Sequence, residues 1–68
     1  MNEDNLNMEI RKFLKKVGIT SQRVLENEII KAEGNGNLKA GQHIEVEMTL
    51  CIKSLGTENK IIDVININ

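Results

Sequence analysis

From Ile44 to Ile52 the chain alternates strictly. Ile44, Val46, Met48, Leu50 and Ile52 hold the even positions, and Glu45, Glu47, Thr49 and Cys51 hold the odd ones. Successive side chains of a strand point to opposite faces, so this pattern specifies a strand with one apolar face. At about 3.3 Å per residue it spans roughly 30 Å, whereas a compact chain of this length has a radius of gyration of about 11 Å. The strand therefore crosses the whole molecule, and every other element has to be arranged around it.

A turn near Gly56–Asn59 should lead into a second strand in KIIDVININ, rich in β-branched residues. Its pattern is ambiguous. Ile62 and Val64 fall on one face, while Ile61, Ile65 and Ile67 fall on the other. Either a bulge near Val64 resets the alternation, or both faces are partly buried; the second reading is preferred, because a subunit interface would supply the extra cover. A lone hairpin is marginal and its edges are open, so pairing across a two-fold axis into a larger sheet is the expected remedy.

Upstream, the period is that of a helix. Leu6, Ile10, Phe13, Leu14 and Val17 repeat at i, i+4, i+7, i+8 and i+11, with Asp4 or Asn5 placed to cap the start. Gly18 reads as the end of this helix, since glycine readily takes the left-handed conformation that closes one. A second helix is expected from Thr20 or Ser21 through Val24, Leu25 and Ile29, stopping at Gly34. The stretch NGNLKAG reads as a loop. The expected fold is α+β: an N-terminal helical hairpin followed by a C-terminal antiparallel β hairpin, in the order ααββ. It forms one small domain over residues 1–68 and is completed by dimerisation. The expected core is Leu6, Ile10, Phe13, Leu14, Val17, Val24, Leu25, Ile29, Ile44, Val46, Met48, Leu50 and Ile52.

With these elements placed, NMEIRKFLKKVGITSQ (residues 7–22) resembles the opening of a family of small bacterial proteins catalogued as a domain of unknown function. Those proteins share an NM-x-IRKFLK-x-VG-x-TSQ segment. The L-K-x-G of Leu38–Gly41 and the MTL-x-I of Met48–Ile52 extend the resemblance over nearly the whole chain. Two departures stand out: Asn27 and Glu28 make the following segment less alanine-rich, and Cys51 stands where another residue is expected. The resemblance implies a common fold, no shared thiol chemistry, and no functional residue to carry over.

Composition narrows the function classes. Net charge is −1, which provides no general attraction to nucleic acid or anionic membranes. No apolar run approaches the roughly 18 residues of a membrane span, and MNEDNLNME lacks the basic and apolar regions of a signal peptide. A single cysteine excludes an internal disulfide, so a cytoplasmic protein is expected. The only histidine and the only cysteine, His43 and Cys51, lie on one predicted strand at a separation of roughly 26 Å, too far to share a metal ion. Glu45 and Glu47 share a strand face, as paired acids of a glycosidase do, but read better as a solvated or edge-protecting face. The glycines at 34, 36 and 41 follow a helix rather than a strand and lack the order of a phosphate-binding loop. Neither an enzyme nor a cofactor is expected.

One feature survives this sifting. Arg11, Lys12, Lys15, Lys16 and Arg23 are five of nine basic residues, and no acid occurs between Ile10 and Leu25. Most such stripes are solvated helix faces, here with cations complementing a helix C-terminus. The competing reading is a helix-turn-helix over residues 10–29. In it Gly18 is the turn glycine, Arg11, Lys12, Lys15 and Lys16 meet phosphates, and Thr20, Ser21, Gln22 and Arg23 approach bases. Leu14 is large for the close helix crossing of that motif, and Asn27 is polar where an apolar residue locks its second helix. With Phe13 as its sole aromatic residue, the chain is also poor in stacking platforms for single strands. The sequence thus points first to a non-catalytic protein-interaction or accessory module acting as a homodimer with an unidentified protein partner. A DNA-binding regulator on duplex DNA ranks second, and no membrane role is expected.

Overall fold

The computed structural model describes all 68 residues. The element order is α1 (Glu3–Gly34), β1 (His43–Ile52), a short 3-10 turn (Lys53–Leu55) and β2 (Thr57–Asn66). The architecture is α+β, with one long helix followed by an antiparallel two-stranded sheet. Two compact units divide the chain, Met1–Asn37 and Leu38–Asn68.

The first unit is α1. Its start lies two to three residues earlier than the sequence suggested: Asn2 is the cap, its side-chain oxygen accepting from the Asn5 N–H at 3.1 Å. Glu3 and Asp4 then occupy the first turn, where negative charge complements the helix dipole. The expected break at Gly18 does not occur, and one helix of 32 residues stands where two were expected. Gly18 takes no positive φ. Glycine in a helix interior is disfavoured by only about 0.5–1 kcal/mol relative to alanine. That is too little by itself to end a helix, and a line of half-buried residues continues past it. Val17, Ser21, Leu25, Ile29 and Ala32 fall at intervals of four or three residues, and all are half-buried.

The terminator is Gly36, two residues beyond the last helical residue. It has φ +77°, and its N–H donates to Glu33 O at 3.1 Å while Asn37 N–H donates to Ala32 O at 2.9 Å. Those paired bonds satisfy carbonyls that the end of the helix would otherwise leave open.

The second unit is the hairpin. Ten consecutive residue pairs, from His43–Asn66 to Ile52–Thr57, run without a bulge. The unbroken register excludes a bulge at Val64. The expected partial burial of both faces is not met within the chain, where Ile61, Ile62 and Val64 are exposed. Ile61 and Ile65 stand opposite Met48 and Ile44 on the apolar face, and Ile62 and Val64 stand opposite Glu47 and Glu45 on the polar one. β2 also begins at Thr57, earlier than expected, because the chain reverses through the 3-10 turn and Gly56 at φ +65°. At the open end of the hairpin, Ile67 N–H donates to Gln42 O at 2.8 Å and Gly41 N–H donates to Ile67 O.

Burial differs most from expectation. Only Leu38 and Ile67, each 8 % exposed, are buried. None of the thirteen expected core residues reaches that state: Leu6, Ile10, Phe13, Leu14, Val24, Met48 and Ile52 are exposed, and the other six are half-buried. A helix stripe and a sheet face make a core only when something covers them, and within one chain much of both faces has no cover.

The two glycine environments predict opposite responses to alanine. A Cβ at Gly18 meets nothing within 4 Å and the backbone is helical. Gly18→Ala should therefore stabilise the protein by about 0.5–1 kcal/mol. At Gly56 the positive φ makes Gly56→Ala destabilising by about 1–2 kcal/mol, although space is open there too. Urea denaturation followed by circular dichroism reads both signs; a destabilising Gly18→Ala would mean that residue 18 is a helix terminus after all.

Candidate functional site

A helix advances about 100° per residue, and this decides what the basic segment can do. Arg11, Lys12 and Lys15 fall on the side of α1 opposite Leu6, Ile10, Phe13 and Val17, Lys16 and Arg23 flank that face, and all five are exposed. Lys12 Nζ lies 3.7 Å from Glu9 Oε1, one turn back. The stripe foreseen from the sequence is thus present as a solvated helix face.

Thr20, Ser21, Gln22 and Arg23 are not brought together. As four consecutive residues of one helix they point in four directions around its circumference. Ser21 lies on the half-buried line, and the Gln22 side-chain amide donates to Glu26 Oε1 at 2.8 Å. Without a turn at Gly18 there is no recognition helix distinct from its support, so the helix-turn-helix reading over residues 10–29 is corrected by the continuity of α1. The depressions along the helix are shallow and open. One of about 310 Å³ is lined by Phe13, Lys16, Val17, Thr20 and Ser21, residues of the same two helical turns, with no opposing wall.

On the hairpin, the polar face carries His43, Glu45, Glu47, Thr49 and Cys51 from β1 beside Asn66, Val64, Ile62, Lys60 and Glu58 from β2. The His43 ring Nδ1 is hydrogen-bonded to the Asn66 side-chain oxygen. Cys51 Sγ lies 3.9 Å from Glu58 Oε2, and Lys60 Nζ lies 3.6 Å from Glu47 Oε1. His43 and Cys51 occupy the two ends of the same strand face, and no group of three or more His, Cys, Asp or Glu is placed to hold a metal ion. Three polar pairs span the two strands on this face: His43–Asn66, Glu47–Lys60 and Cys51–Glu58.

Sequence reasoning missed the two most buried side chains. Leu38 is the lone apolar residue in a glycine- and asparagine-rich connection, and that isolation was the available signal. Ile67 falls by spacing on one face with Ile61 and Ile65, and that spacing does not mark it as the most buried of the three.

A family model matches residues 1–68, the full length of the chain. The chain belongs to the DUF6494 family. This is a family of unknown function, so membership carries a shared fold and no activity. No curated protein and no solved structure matches this DUF6494 chain. No helix of this DUF6494 member is long and apolar enough to cross a membrane.

The exposed thiol gives a test of whether the polar sheet face is structural. Cys51 is free and exposed, so Cys51→Ser should leave the denaturation midpoint unchanged within about 0.5 kcal/mol. A loss of 2 kcal/mol or more would mean that the thiol is packed in the working assembly.

Proposed function

We propose that this DUF6494 member is a non-catalytic protein-interaction module that works as a homodimer. One observation carries the reading: a 32-residue helix with no buried residue, in a chain whose buried hydrophobic residues are Leu38 and Ile67 alone. Chains of this size are marginal even when their own core is well packed, and oligomerisation is a common remedy. Exposed apolar faces on both units favour association over catalysis, because an active site needs an enclosing wall that the open depressions on α1 lack. A homodimer gives the apolar residues a cover and leaves the solvated face of Arg11, Lys12 and Lys15 for a further protein partner.

Sedimentation equilibrium across about 1–200 μM, with thermal unfolding at the same concentrations, tests this. The expected result is a dimer whose Tm rises with protein concentration, as mass action requires when folding and association are linked. A monomer with a concentration-independent Tm at every concentration would overturn the proposal.

A further inference from the structure

The N-terminal half of α1 has an internal symmetry that specifies how two copies meet. Leu6, Ile10, Phe13 and Val17 are spaced 4, 3 and 4 residues apart, a pattern that reads the same in both directions. We infer that α1 pairs with α1 of a second copy in an antiparallel seam, with the two-fold axis between residues 11 and 12; this rests on the homodimer proposed above. Residue i then faces residue 23 − i of the partner. Leu6 meets Val17 of the partner subunit, and Ile10 meets Phe13 of the partner subunit, giving four apolar layers in a row. Glu3 and Thr20 face each other at either end and close the seam with polar residues.

Exposure leaves the face open, and charge selects how two copies meet on it. Of the four seam residues, Leu6, Ile10 and Phe13 are 41 %, 46 % and 52 % exposed and Val17 is half-buried, so most of the face where the pairing would form is open. The flanking charges are complementary: in an antiparallel pair Glu9 lies about 3 Å along the axis from Lys16 of the partner subunit, twice by symmetry. A parallel pair instead sets Glu9 beside Leu14 of the partner subunit and Lys16 beside Ser21 of the partner subunit, with no charge matched. Sliding the antiparallel pair by one heptad fares no better, since it buries Thr20 against Ile10 and brings Lys16 against its own copy. Charge complementarity therefore selects both the direction and the register, and the opposed helix dipoles agree with the antiparallel choice.

Electron–electron distance measurements between nitroxide labels test the geometry in the full chain. Asn5, Lys12 and Ile19 are seven residues apart and share one outward-facing heptad position, so labels there differ only in height. Each is changed singly to cysteine in a Cys51→Ser background, with sedimentation run on the same samples. The expected result is a short distance at position 12. At positions 5 and 19 the labels should be offset along the axis by about 20 Å, from a rise of 1.5 Å per residue. Three equal distances would show a parallel pair, and a minimum away from position 12 would show another register; either overturns the seam and leaves the dimer standing. Monomeric samples would overturn both. As a second measurement, Glu9→Lys and Lys16→Glu should each weaken dimerisation about fivefold, and the double variant should recover it. Failure of the double variant to recover overturns the charge pairing.

Discussion

Ordering a chain costs conformational entropy at every residue, and the main offset available to a small protein is apolar surface removed from water. Here that offset is divided between two units whose ends are capped or paired and whose apolar side chains are mostly exposed. The helix is closed by Asn2 at one end and by the Gly36 turn at the other. The hairpin is closed by ten paired positions. What neither unit does is bury its apolar face to the degree of a folded core. Local structure is satisfied, and the missing term is burial.

That division explains which parts of the molecule were legible in the sequence. The strand at 43–52 was readable because its alternation is a two-residue period that nothing else mimics, and the hairpin followed from it. The N-terminal helix was readable from Leu6 to Val17 for the same kind of reason. Gly18 was misread because a glycine inside a helix and a glycine ending one differ by about a kilocalorie per mole, less than the packing of a single methyl-bearing side chain in phase with its neighbours. The deciding information lay in Val17, Ser21, Leu25 and Ile29, whose spacing runs through the glycine and includes a serine that does not look apolar. The question of a bulge in β2 could be posed from the sequence but answered only by register, since Ile61 and Ile62 must point to opposite faces in any unbroken strand.

The basic stripe shows how a correct local reading can carry an incorrect functional one. Arg11, Lys12 and Lys15 lie on the face opposite Leu6 and Ile10, with Lys16 at its edge. The same residues looked like a phosphate-contacting surface only because a turn was assumed to follow. Once α1 continues, Thr20 to Arg23 are spread around a cylinder, and the chemistry assigned to them as a group dissolves. A motif is a statement about backbone path as much as about residue types.

The two-sided character of β2 has a consequence for how the protein must be handled by the cell that makes it. The sheet has only two strands, so the outer edge of each is unpaired. β2 presents isoleucine or valine to both sides through Ile61, Ile62, Val64 and Ile65, with Asp63 as the one charge within that run. Such a strand is a template for strand-by-strand growth as well as for a native fold. A closed assembly stops at a fixed number of subunits, whereas edge growth has no natural end. Lys60 and Asp63 are the charges at and inside this segment, where charge opposes such growth.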